Sequence, residues 1–376
     1  MNEIYRNEKV EMAPLKEGRL SGYTFAVKDV FAVEGEKNSA GNPDWLVTHE
    51  ANTFTAPVIE HLLLNGATLK GLTHTDELMY SLNGENIHYG TPPNLLHPDH
   101  IPGGSSSGSA SAAAERDFTL GTDTGGSVRV PSSYCGLYGI RPTHNAISMK
   151  GVIPLAPSFD TVGWMSKSSR ILKEVGDVLL HDEIIEFTNI TIDLQGWNFL
   201  QPEDRHYLEA AINKLEVETK EITGPLEEWA TLFRTIQGIE IWKVHGEWIR
   251  SVKPTFAPSI EKRFQWASTL DAGMYDELKL KQLAIQEYLQ KQIGEKGLLV
   301  IPTTPSIAPK KKATSEEVED VRTKTMQLTC IAGLSGFPQV TVPIMRADGL
   351  ALGLSFIATR GRDRALLHFV DQYFGS

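Results

Sequence analysis

Cysteine is nearly absent. Cys135 and Cys330 are the only two in 376 residues, and neither belongs to a Cys/His cluster with zinc-site spacing. That excludes a disulfide framework and points to a reducing compartment, with the cytoplasm as the default. Cys135 reads as a packed helix residue rather than a reactive thiol. Long hydrophobic runs are also missing. No window approaches the ~20 apolar residues of a membrane span, and Met1 to Glu8 contain no apolar targeting segment. Positive charge is in deficit: 36 Lys and Arg against 47 Asp and Glu give a formal net charge of −11. A nucleic-acid backbone is therefore excluded as a partner. The basic run Lys310-Lys311-Lys312 is followed closely by Glu316, Glu317, Glu319 and Asp320, and reads as a solvated surface segment. His97 and His100 have no third ligand nearby, and no dinucleotide motif sits in strand-to-helix context, so neither metal nor cofactor is expected.

What the chain does have is a dense Gly/Ser stretch from Gly103 to Ser127. It opens Gly103-Gly104-Ser105-Ser106-Ser107-Gly108-Ser109 and closes Gly121-Thr122-Asp123-Thr124-Gly125-Gly126-Ser127. Between these loops lie an Ala-rich run, Ala110 to Ala114, and an apolar run, Phe118 to Leu120. The pattern predicts loop, helix, strand, loop, with a second helix opening at Ser127. A flexible linker would not be interleaved with helix and strand in this way. A Walker-type phosphate loop would need Gly-Lys-Ser/Thr, which does not follow these glycines. Glycines at 125 and 126 allow a tight turn, so the N–H groups of Thr124, Gly125, Gly126 and Ser127 can converge as an oxyanion hole beside a Ser127 nucleophile. None of the 11 histidines falls inside the stretch, so a Ser-His-Asp arrangement has no support.

Upstream, Tyr23 to Val33 is almost wholly apolar and predicts a buried strand. Lys28 is the odd residue within it. A lysine there is costly unless it is neutral, paired with Asp29, or snorkelling to the strand end. Val58, Ile59, Leu62 and Leu63 give a helical stripe, and Thr68 to Leu72 a short strand. Amphipathic helices are expected around Leu208 to Leu215, Glu227 to Val252 and Leu280 to Leu289. Residues 200–293 thus read as helical. The end returns to strands and helices: Leu298 to Ile301, Gln339 to Met345 and Leu350 to Ala358 as strands, the last two joined through an Asp348-Gly349 turn. Val321 to Leu334 and Arg364 to Phe374 read as helices.

These motifs resemble the amidase signature family of Ser-Ser-Lys amide hydrolases. Asp123-Thr124-Gly125-Gly126-Ser127-Val128-Arg129-Val130-Pro131 matches the family's second motif in full. The first motif matches except that Ser107 stands where the family often has Gly. The segment between them is slightly short, which should trim the turn near Glu115-Arg116-Asp117. The likeness is dense from Tyr23 to Lys167 and sparse from Leu298 onward. It implies one α/β domain over residues 1–376, with a mixed, twisted central sheet covered by helices on both faces. The core would be residues 20–170 and 298–376, with a helical, specificity-forming region at about 200–293. It implies a catalytic set of Lys28, Ser105 and Ser127, with Ser105 on a cis peptide and Lys28 as the base. Ser106 would support the hydrogen-bond network and, with Met79 and Tyr80, bind the substrate, the latter two lining the acyl side of the pocket, and Arg129 would pair with a carboxylate that props the loop. The runs from Thr122 to Gly136 and Ser158 to Trp164 look most like the branch containing plant indole-3-acetamide hydrolases. That implies a small, primary amide substrate, with aryl-acetamides among the options. Two other roles exist within the family: the glutaminase subunit of a tRNA-dependent amidotransferase, which needs a partner subunit, and a non-catalytic interaction module, which lacks a triad residue. The oligomeric state is not legible, and a homodimer is one option.

Overall fold

The apolar runs become strands of one sheet. A computed structural model describes residues 3–375, apart from the Ser315 side chain. Among the described residues there are eleven strands. They are β1 (Tyr5–Met12), β2 (Thr24–Lys28), β3 (Thr68–Thr73), β4 (Phe118–Asp123), β5 (Tyr138–Arg141), β6 (Thr161–Ser166), β7 (Asn189–Asp193), β8 (Val217–Lys220), β9 (Gly297–Pro302), β10 (Gln339–Met345) and β11 (Ala351–Ala358). Their order across the sheet is β1-β3-β2-β4-β6-β5-β10-β11-β9-β7-β8. The sheet is mixed. β3, β2 and β4 run parallel, β4 through β9 pair antiparallel, and β9, β7 and β8 are parallel again.

Successive side chains on a strand point to opposite faces, so burial of every residue requires cover on both sides. β4, β6, β9 and β11 are buried along their whole length. The edges differ: β1 buries only Tyr5 and Val10, and β8 is almost wholly exposed. This is the α/β architecture, helices on both faces, that the sequence leads one to expect.

Two expectations need correction. The strand expected over Tyr23 to Val33 ends at Lys28. Just beyond it Asp29 is fully buried and its carboxylate accepts from the Ser39 amide at 2.8 Å, the Ser39 hydroxyl at 2.5 Å and Asn38 Nδ2 at 3.1 Å. Those bonds, with the Arg6 guanidinium 3.2 Å away, turn the chain out of the sheet. Asp29 is thus paired with Arg6. The region 200–293 is also not purely helical, since it contains the edge strand β8. Its sequence, Val217 to Lys220, has no apolar alternation because neither face is buried. A further helix, Pro258–Ser268, lies in the same region, beside the 27-residue helix Leu226–Val252.

The small residues of the first Gly/Ser loop fold as the helix Ser107–Ala112, every residue of which is buried. It packs so close to the sheet that a Cβ on Gly108 would stand 2.6 Å from the His74 amide nitrogen. β2 and β4 are joined by parallel pairing from Phe25↔Phe118 to Val27↔Leu120, with the Phe25 and Phe118 rings stacked at 5.2 Å. This pairing carries Lys28 and Asp123 to the same end of neighbouring strands.

Phe118→Ala should therefore destabilise the fold by about 3–5 kcal/mol, from lost burial plus an unfilled cavity. A urea titration comparing the midpoints and slopes of the two proteins checks this, and a loss under ~1 kcal/mol would contradict it.

Candidate active site

The side chain at the end of β2 meets the first Gly/Ser loop inside the protein. Lys28 is fully buried, and its Nζ lies 2.8 Å from Ser105 Oγ and 2.9 Å from Thr122 Oγ1. The Gly104–Ser105 peptide is cis. Burial draws the Lys28 pKa down to about 7, although the negative charges of Asp76, Asp123 and Asp160 oppose the shift. Thr122 Oγ1 in turn donates to Met79 Sδ at 3.8 Å, which leaves its lone pairs for Lys28. Asp76 is a further buried neighbour. It accepts from the Gly84 amide at 3.0 Å and the Ser107 hydroxyl at 3.2 Å, and burial pushes its carboxyl pKa upward. The Ser105 carbonyl is held by the Thr75 hydroxyl at 2.9 Å and the Asp76 amide at 3.2 Å.

The second loop is wrapped around one carboxylate. Asp123, at the end of β4, accepts from the amides of Gly126 at 2.9 Å, Val128 at 3.0 Å and Arg129 at 3.2 Å. The same carboxylate takes Arg129 Nη2 at 2.8 Å and Arg141 Nη1 at 3.0 Å. All three side chains are fully buried. Despite its burial, the two guanidiniums and the amides hold Asp123 far below the usual carboxylate range. Arg129 then reaches across the fold, donating from Nη1 to the Thr329 carbonyl at 2.8 Å and to Gln339 Oε1 at 2.7 Å. Asp160 fixes the other flank, accepting from the Thr124 hydroxyl at 2.6 Å. Gly126 has φ +127°, and a Cβ there would lie 3.0 Å from Thr329 Cγ2, so this position requires glycine.

This arrangement alters the oxyanion reading at one residue. The Gly126 N–H already donates to Asp123, which takes it out of the four expected amides and leaves those of Thr124, Gly125 and Ser127 as candidates. Ser127 and Ser106 are tied through the backbone, with the Ser106 amide donating to the Ser127 carbonyl at 3.2 Å. The Ser106 hydroxyl is buried and bonds the Thr122 carbonyl at 3.3 Å, away from the pocket.

A pocket of about 180 Å³ opens in front of Ser127. Thr124, Gly125 and Ser127 form one wall, and Met79 and Tyr80 lie on another. Leu78 and Met79 both have positive φ, 43° and 61°, which turns that segment sharply into the pocket rim. The lining also includes Gln237, next to Gly125, and a set of cationic side chains from the helices Leu226–Val252, Pro258–Ser268 and Ser315–Ser335. Sequence reasoning missed Thr122, Asp76, Asp160 and Arg141. Thr122 and Asp123 sit inside the quoted motif, and that adjacency was the available signal. Among the described residues no group of His, Cys, Asp and Glu has a metal-holding arrangement. His97 and His100 stack edge to face at 4.8 Å.

A family model described as Amidase matches residues 5–191 and 214–367. The chain belongs to the amidase family. It is 40% identical to Amidase 1 of Arabidopsis thaliana, with 97% of this chain and 96% of that protein aligned. It is 35% identical to Outer envelope protein 64, chloroplastic, of the same plant, with 95% of this chain but 67% of that protein covered. A solved structure titled as a crystal structure of amidase superposes with a TM-score of 0.84 at 25% identity, covering 94% of this chain and 84% of that one. No helix among the described residues is long and apolar enough to cross a membrane.

Removing the Asp123 carboxylate leaves two buried guanidiniums without their shared partner. Asp123→Ala should cost about 3–5 kcal/mol of stability. A solvent-facing change such as Glu277→Ala should stay within ~0.5 kcal/mol. Denaturant melts of both variants beside the parent test this, and near-equal midpoints would refute it.

Proposed function

We propose that this amidase hydrolyses the C–N bond of a small, primary carboxamide through Ser127, with Ser105 as proton relay and Lys28 as base. The observation that carries the reading is the 2.8 Å approach of Lys28 Nζ to Ser105 Oγ at a lysine whose pKa burial draws down to about 7. A neutral amine offers one lone pair and two N–H groups. The lone pair accepts from the Ser105 hydroxyl, and an N–H donates to Thr122. Ser105 then accepts the proton of Ser127 as the Ser127 oxygen attacks the amide carbon. The carbonyl oxygen gains negative charge against the amides of Thr124, Gly125 and Ser127. As the C–N bond breaks, the proton held by Lys28 returns through Ser105 to the nitrogen, which leaves as ammonia. Water repeats the path on the acyl-Ser127 ester and releases the carboxylate.

One domain carrying the whole reaction fits the continuous sheet, which joins β1 near the N-terminus to strands from the last third of the chain. A cytoplasmic setting, reached without a nucleic-acid partner, is supported by two free, buried thiols and by the acidic net charge. The non-catalytic reading has no supporting observation, since Lys28, Ser105 and Ser127 are all present. A glutaminase-subunit role would reveal itself by copurification of a second chain.

Ser127→Ala should abolish ammonia release from a panel of primary amides while the far-UV spectrum stays unchanged. Near-normal turnover would sink the nucleophile assignment.

The pH dependence tests the base. An ammonium cannot accept a proton, so kcat/KM should rise with pH through a midpoint of about 7 and fall away below it. Lys28→Ala and Ser105→Ala should each cripple hydrolysis, and the double variant should be hardly worse than either alone, because both serve one transfer. Independent, multiplying effects in that cycle would contradict the relay.

A further inference from the structure

The pocket that Ser127 lines is rich in cations in a chain of net charge −11. Arg234, Lys262, Arg263 and Arg322 all line it. Their counter-charges are few. Arg322 pairs with Glu319, and the same carboxylate is held low by the nearby charges of Arg263 and Arg234. The buried Asp76 also acts on Arg263, from beyond ion-pair distance. Arg263 has no carboxylate partner among the described residues. It is only partly exposed, and its Nη1 donates to the Tyr80 carbonyl at 2.6 Å. Burial and then the like charge of Arg322 pull its pKa down to about 10. Arg234 lies over the Trp266 ring at 5.3 Å, also without a carboxylate among the described residues.

Like charges packed into a small, half-enclosed space repel one another, and an anion bound among them removes that penalty. A planar guanidinium also recognises a carboxylate by paired hydrogen bonds. A wholly neutral amide would leave Arg263 without an ion pair, its Nη1 bonded to the neutral Tyr80 carbonyl. We propose that the substrate is the monoamide of a short dicarboxylic acid. Its amide is presented to Ser127 and its free carboxylate is held by Arg263, with Arg322 and Arg234 beside it. The spacer lies against Met79, Leu155 and Met326, and the pocket volume of about 180 Å³ limits its length. This rests on the amidase reading of Ser127 and narrows its substrate class. Arg263 and its neighbours are thereby specificity-determining residues.

The test compares succinamate, glutaramate and adipamate, each beside the neutral primary amide of the same chain length. The best anionic amide should be turned over with kcat/KM at least about tenfold above its neutral match, mainly through KM, and salt should shrink the gap. Arg263→Gln should lower kcat/KM for the anionic amide by roughly ten- to a hundredfold and bring the ratio toward one, with Arg263→Lys recovering part of it. Neutral amides hydrolysed as well as or better than the anionic set would overturn the proposal and leave the amidase reading intact. If no amide is hydrolysed, the amidase reading fails instead. Calorimetric binding of glutarate to the Ser127→Ala protein then decides the anion site alone: saturable binding lost in the added Arg263→Gln change supports it, and no binding at millimolar concentration overturns it.

Discussion

One buried carboxylate organises this molecule. Asp123 collects two guanidiniums and three backbone amides in a space that water does not reach. A charge in that position is tolerable only because every lone-pair direction is met. The loop therefore has little freedom. Its glycine amide points at Asp123, its serine follows in sequence, and its threonine hydroxyl is fixed by Asp160. The shape of the loop is thus set by the protein's own contacts.

Two buried charges at the same end of neighbouring strands are treated in opposite ways. Asp123 is surrounded by donors and stays ionised far into acid. Lys28 is given two hydroxyls instead of a carboxylate, and burial wins over the more distant negative charges. The difference lies in first contacts, not in depth, since both are fully buried. Substitution of Thr122 or Ser105 by an acid would reverse the balance at the lysine.

Local spelling made the two Gly/Ser loops, the short strand between them and the lysine strand legible in the sequence. Gly126 needs its positive φ, Ser127 follows it, and the apolar strands announce themselves by composition. What was illegible depends on partners far along the chain. Arg129 finds Thr329 and Gln339, about two hundred residues away, and nothing near Arg129 names them. The Gly126 amide looked free because its acceptor, Asp123, was visible only as a motif letter. β8 escaped notice because Val217 to Lys220 lie exposed at a sheet edge, so no burial pattern marks them. The cationic lining is assembled from three separate helices, one of which, Pro258–Ser268, was not among those expected from the sequence.

The reach of Arg129 also bears on how the chain is made. A ribosome delivers Lys28, Ser105 and Ser127 within the first third of synthesis, and domains tend to order from the N-terminus as they emerge. The acceptors that hold Arg129 arrive only with the helix Ser315–Ser335 and with β10. Until then a buried guanidinium lacks its neutral partners, and β5 lacks the neighbour that joins it to the second half of the sheet. The nascent polypeptide thus carries Lys28, Ser105 and Ser127 before the segments that hold Arg129 have been made. The full set of contacts around Arg129 therefore closes only near the end of synthesis.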